Sequence, residues 1–144
     1  MKKVAIIGPM SNGKGSLNGQ TVKVKVLVDE LCHEYGAEHL LLISTSGNIL
    51  KILVFIRIIV ALLCCSNIII LPAKNGLRLI VPYLSFLNRI FNRSLHYDVI
   101  GGWLPNYIES RTRLKECLKG FLAIYVETNK MKQALNAQGF NNII

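Results

Sequence analysis

Lys3-Val4-Ala5-Ile6-Ile7-Gly8 runs straight into a glycine-rich loop, Pro9 to Gly19, and then into the stretch Gln20 to Tyr35. The reading of that last stretch decides the fold. Val22-Lys23-Val24-Lys25-Val26 alternates with period two, which is a strand signal. Val24, Leu27, Val28, Leu31 and Tyr35, however, fall on one helical face along the whole stretch. Its length and its place after a strand and a loop favour a helix. The opening unit is then strand, loop, helix.

The same rhythm continues outward from there. His39 to Thr45 is apolar without polar alternation, as expected of a parallel strand covered on both faces. Thr45 or Ser46 can cap a helix from about Asn48 to Cys64. Asn67 to Leu71 reads as a third strand, ended by Pro72. From Asn75 to about Asn92 the residues Leu77, Ile80, Val81, Leu84, Leu87 and Phe91 recur at helical spacing, and Pro82 should kink or restart that helix. Asp98 to Gly101 reads as a fourth strand, Tyr107 to Leu118 as a helix, and Phe121 to Val126 as a fifth strand. Thr128 caps a helix from Asn129 to Gln138, with Gly139 suited to the C′ position, and Asn142-Ile143-Ile144 begins a sixth strand. Strands alternating with helices predict an α/β, Rossmann-like parallel sheet with helices on both faces, in a single domain over residues 1–144.

Composition narrows the class. With 51% hydrophobic and 17% charged residues in 144, the chain can build a core, and wholesale disorder is excluded. A net charge of +9 favours anionic partners, whether lipid head groups, pyrophosphate or nucleic acid, without choosing among them, against the plain alternative of scattered surface Lys and Arg. Cys32, Cys64, Cys65 and Cys117 form no C-x-x-C pair, and the adjacent Cys64 and Cys65 read as small core residues. His33, His39 and His96 have no metal-ligand spacing, so no metal is expected, and a reducing cytoplasm fits best. The N-terminal apolar run is too short for a signal peptide. Ile49 to Leu71 is apolar enough to raise the question of a membrane span, but Lys51, Arg57 and Ser66-Asn67 interrupt it. A span needs about 20 clean apolar residues, so the segment reads as a buried helix and a buried strand.

In such a sheet ligands bind outside the carboxyl ends of the strands, and three places qualify. The first loop has two competing functional readings. Gly8 with Gly13-Lys14 matches a P-loop, although Gly15 stands where the metal-binding hydroxyl belongs and Ser16 is one place late. Alternatively Asn18, Gly19, Gln20 and Thr21 bring a helix N-terminus toward a phosphate or a sugar hydroxyl. A plain surface loop is the bland option. The second place is Gly101-Gly102-Trp103, where two glycines permit close approach and the single tryptophan could stack on a sugar ring or simply pack on the next helix. The third is Glu127, just past strand five, facing the crevice or solvent. Separately, Lys74, Arg78, Arg89 and Arg93, with apolar residues between them, form a basic amphipathic stretch suited to an anionic membrane surface or to ordinary packing with solvated tips.

Three segments together resemble the N-terminal, acceptor-side domain of retaining GT-B glycosyltransferases of the capsular and exopolysaccharide type. They are the opening strand with Asn18-Gly19-Gln20-Thr21-Val22-Lys23, the segment His96 to Leu104, and Ala123 to Asn129 followed by Met131 to Leu135 and Gly139-Phe140. The resemblance implies one half of a GT-B fold, truncated before the donor-binding domain. It implies a saccharide or lipid-linked acceptor, and a nucleotide sugar as donor held by the missing domain or by a partner chain. It places Gly19 near the donor phosphates or the acceptor, and Gly101, Gly102, Trp103 and Glu127 on the acceptor side. Work at the cytoplasmic face of the membrane and no nucleic-acid partner follow from the same likeness. The expected role is surface polysaccharide synthesis, without turnover by this chain alone. A P-loop-like nucleotide-binding protein and a non-catalytic membrane-surface module are the alternatives.

Overall fold

The computed structural model describes residues 2–10, 19–46 and 51–144. Five strands, β1 (Lys2–Gly8), β2 (Leu40–Ser44), β3 (Cys65–Ile70), β4 (Ser94–Asp98) and β5 (Ala123–Tyr125), form one sheet in the order β2-β1-β3-β4-β5. Every pairing is parallel. Ile143 adds an isolated parallel bridge to Ile124, which is the expected start of a sixth strand. The fold is Rossmann-like α/β.

The helices are α1 (Gly19–Tyr35), α2 (Lys51–Cys64), α3 (Lys74–Phe91), α4 (Leu104–Ile108), α5 (Thr112–Lys119) and α6 (Asn129–Ala137). Right-handed crossovers distribute them over the two faces. The step from β1 to its neighbour β2 runs one way, and every later step runs the other. Accordingly α1 lies on one face, where Val24 packs with Val4, Ile6, Leu40 and Leu71. The remaining helices lie on the other, where Ile58, Leu62, Leu77, Leu84, Leu118 and Leu135 close over Ala5, Ile7, Ile68, Ile70 and Tyr97. Successive strand residues therefore feed alternate cores, and the larger core belongs to the many-helix face.

Several boundaries differ from those read in the sequence. The fourth strand is Ser94–Asp98, not Asp98 to Gly101, because Tyr97 and Leu95 pair with the Ile70 and Ile68 rungs. The helix expected over Tyr107 to Leu118 is two helices. Pro105 sits in the first turn of α4, and Arg111, at φ −114° and ψ 71°, leaves helical geometry before α5. The fifth strand is the three residues Ala123–Tyr125. Pro82 neither ends nor restarts α3, which is one helix from Lys74 to Phe91. The carbonyl that Pro82 leaves without its helical donor is that of Arg78, an exposed residue. Cys65 is buried, but Cys64 is exposed. Likewise α2 buries only Ile58, Ala61 and Leu62 fully, and Ile52, Leu53, Ile56, Val60 and Leu63 are exposed. Among the described residues no helix is long and apolar enough to cross a membrane.

Candidate functional site

The strand order reverses between β1 and β3, so the crevice rule points to the carboxyl ends of those strands and their neighbours. At the end of β1, Gly8 is buried. A Cβ there would lie 3.2 Å from Cγ2 of Val24 and 3.4 Å from Cβ of Leu71. Glycine at this position lets α1 close against β1 and β3. That role accounts for Gly8 without a phosphate; Gly13, Lys14, Gly15 and Ser16, the rest of the P-loop reading, lie outside the described residues.

The first helix begins at Gly19, which is exposed and has open space around its Cα. Gln20 and Thr21 follow in its first turn, and Asn18 lies outside the described residues. One turn further on, Lys23 joins the places that the sequence marked separately. Its Nζ lies 2.7 Å from Oδ1 of Asp98 and 3.2 Å from Oε1 of Glu127, and donates to the carbonyl of Val99 at 3.2 Å. Asp98 ends β4 and Glu127 follows β5, so adjacent strand ends deliver two carboxylates to one ammonium. The other oxygen of Glu127 accepts from the Gly101 amide at 3.3 Å.

Sequence reasoning missed Lys23 as a site residue, though a signal was there. Lys23 stands four and eight residues before Leu27 and Leu31, at the head of the stripe that α1 turns toward the sheet. A cation in line with half-buried apolar residues gains from anionic partners. Below it, α1 and the open part of its sheet face enclose a hollow of about 490 Å³, lined by Leu27, Leu31, Asn67, His96, Asp98 and Tyr125. His96 Nδ1 and the Tyr125 hydroxyl lie 3.3 Å apart, and burial lowers the His96 pKa.

The electrostatics of the cluster are uneven. Burial pushes the Asp98 carboxyl above its usual range, Glu127 adds to the rise, and Lys23 only partly offsets it. For Lys23, burial favours the neutral amine, but the bonds and charges of Asp98 and Glu127 outweigh it, and the net is upward. The two directions are compatible because the Asp98 side chain is 16% exposed and that of Lys23 is 30% exposed: the carboxylate bears more of the lost solvation.

Gly101 adopts φ +77°, and the turn it allows brings Trp103 back on itself. The indole Nε1 donates to the Ile100 carbonyl at 2.7 Å, and its ring meets Tyr107 edge-on at 5.4 Å. Lys74 lies 5.6 Å above the indole, and the Tyr107 hydroxyl donates to the Lys74 carbonyl at 3.1 Å. Trp103 is half-buried and braced. The basic stretch does not form one patch. Lys74 belongs to this edge, and Arg78 and Arg89 are exposed along α3. The Arg93 Nε donates to the Leu62 carbonyl at 2.8 Å and so ties α3 to the end of α2.

Among the described residues no group of three or more His, Cys, Asp or Glu side chains converges as a metal site. What the edge offers is hydrogen bonding: two carboxylates, one ammonium, a glycine turn open at Gly102, and an aromatic rim. Carboxylates accept hydrogen bonds and an ammonium donates them. Comparison with protein-family models, with curated proteins and with solved structures gives no match to this chain.

Proposed function

We propose that the chain is the acceptor-binding half of a sugar transferase, holding a saccharide at the carboxyl edge of its sheet while the nucleotide sugar is held by a second domain or chain. The observation that carries this reading is the convergence of Asp98 and Glu127 on Lys23 beside Gly101, Gly102 and Trp103. Ionised carboxylates accept from vicinal hydroxyls in charge-assisted bonds, and an ammonium donates to them. Glu127 is the member free to turn toward a ligand, because its side chain is 44% exposed and its bonds, at 3.2 and 3.3 Å, are the longer ones. Asp98, deeper and closer to Lys23, fixes the cluster. Gly19, Gln20 and Thr21 stand at the start of α1, where a donor phosphate or an acceptor hydroxyl would meet the N-terminal end of the helix. The resemblance of the three segments to retaining GT-B enzymes supports the sugar-transfer part, including retention and a role in surface polysaccharide synthesis.

Trp103 is the single tryptophan, so its emission reports on this edge alone. Titration with maltose, lactose and cellobiose is expected to shift it with at least one of them, and Glu127→Gln is expected to weaken that response about tenfold or more, since a lost charged hydrogen bond is worth roughly 1.5–3 kcal/mol. Unchanged emission with all three sugars, and with free glucose at the solubility limit, counts against a saccharide site here.

A further inference from the structure

From Asp98 back to Glu38 the chain carries no acidic residue: positions 39–97 contain Lys51, Arg57, Lys74, Arg78, Arg89 and Arg93 and no Asp or Glu. That segment supplies α2 and α3, which lie side by side on the sheet. Phe55 and Tyr83 meet edge-on at 4.9 Å, and the Tyr83 hydroxyl donates to the Phe55 carbonyl at 3.2 Å. The sheet-facing residues of the pair are Ile58, Ala61, Leu62, Leu77, Ile80, Val81 and Leu84. The opposite side is also apolar. Ile52, Ile56, Val60 and Leu63 recur at helical spacing along the outside of α2, and Leu79, Phe86 and Ile90 along the outside of α3, with Ile52, Phe86 and Ile90 at 77%, 63% and 75% exposure.

Basic residues border this apolar strip. Arg57 is exposed on α2, and Arg78 and Arg89 are exposed on the flank of α3 nearest α5. There they share two hollows with Arg111 and Arg113. Glu116, in the same hollow as Arg89, is held by Lys119 at 3.1 Å. Exposed apolar strips of this extent mark interaction surfaces. We propose that the outer face of α2 and α3 lies on an anionic lipid surface, with Ile52, Ile56, Phe86 and Ile90 entering the acyl boundary and Arg57, Arg78, Arg89, Arg111 and Arg113 meeting phosphate head groups. A protein partner of similar apolarity would need its own dense acidic rim to match an acid-free face, whereas an anionic bilayer supplies both components. This placement extends the basic stretch Lys74 to Arg93 to a second helix and a second source of arginine, and it drops Arg93, whose guanidinium is used inside the fold. It stands independently of the sugar-binding reading.

The test is sedimentation of the full chain with vesicles of phosphatidylcholine alone and of phosphatidylcholine with phosphatidylglycerol. The full chain is expected to pellet with the anionic vesicles and to remain mostly in solution with the neutral ones. Two surface variants separate the components: Ile56→Glu with Phe86→Glu, and Arg78→Glu with Arg89→Glu. Each is expected to cut anionic-vesicle binding at least about tenfold while far-UV circular dichroism and thermal unfolding stay as in the native chain. The proposal is overturned if the native chain ignores anionic vesicles, or if either folded variant binds as well as it does. Light scattering that shows a dimer broken by Ile56→Glu with Phe86→Glu, without vesicle binding, would overturn it in favour of a contact between copies. Binding to a nucleic-acid homopolymer lost only with the arginines, in the absence of vesicle binding, would overturn it as well.

Discussion

Lys23 illustrates what a single residue does in this molecule. Replacing it with Ala leaves Asp98 and Glu127 facing each other with no cation among the described residues, and burial already raises the Asp98 carboxyl. The expected cost is about 1–2 kcal/mol in urea unfolding, kept below the fully buried range because Lys23 and Glu127 are partly exposed. Adding Asp98→Asn to that variant is expected to recover part of the loss; if the double variant is less stable by the full sum of the two single changes, the cluster is not a coupled unit. The pH dependence has a definite sign. The Lys23 amine is held above 10.5 in the folded chain, so its contribution is complete below that value and fades as pH rises through the higher folded value. The native chain is therefore expected to lose more stability than Lys23→Gln above about pH 10.5, and equal losses would remove the assigned ion pair. Tyr97 gives a contrasting case. Its hydroxyl is buried with no hydrogen-bond partner among the described residues, and burial, ahead of the nearby Asp98 and Tyr107, drives its ionisation far upward. Tyr97→Phe is expected to be neutral or stabilising by up to about 1 kcal/mol in thermal unfolding.

At the scale of elements, glycines separate positions that a turn requires from positions it merely tolerates. Gly101 has φ +77° and a Cβ there would stand 3.4 Å from the Trp103 ring, whereas Gly102 has open space and no left-handed φ. Gly101→Ala is expected to cost about 1–2 kcal/mol and Gly102→Ala less than about 0.5 kcal/mol by thermal unfolding; equal effects would mean that the turn is not held in this form. Elements were legible in the sequence where an apolar period ran long enough. The stripe of α1 outweighs the short alternation Val22 to Val26, and Thr128 caps α6 as its sequence predicts, with its Oγ1 accepting from Met131 N at 3.2 Å. Short elements were not legible. The strand β4 begins at Ser94 because its rungs pair with β3, which no local pattern records. The break between α4 and α5 hangs on Arg111, whose guanidinium donates to the Tyr107 carbonyl and lies over the Tyr107 ring at 4.1 Å. The pattern of α2 says apolar nearly all round, which reads as buried, and only the packing shows that one side is left exposed among the described residues.

Across the whole molecule, the parallel sheet and its two helix layers followed from alternation alone, whereas the strand order did not, because nothing local in the sequence says on which side of β1 a strand will dock. That order assembles the proposed site. It places β3 between β1 and β4 and so gathers the starts of α1 and α3, the β4 turn and the end of β5 along one edge. Gly101, Trp103 and Glu127 were readable as strand-end residues, but their union through Lys23 depends on a contact 75 and 104 positions away. Charge is segregated on the same scale: the carboxylates of the site lie at the carboxyl edge, and an acid-free stretch forms the outer helical face.

The most direct measurement of the central claim is an amide-resolved NMR titration with magnesium-ATP, UDP and the three disaccharides in turn. The expected result is that a disaccharide moves Gly101, Gly102, Trp103 and Glu127, with at most weak shifts from UDP and none from magnesium-ATP between Gly8 and Thr21. Magnesium-dependent shifts confined to Gly8 through Thr21 with ATP, and silence at Gly101 to Trp103 with every sugar, would contradict the acceptor-site account and make the first loop a nucleotide site.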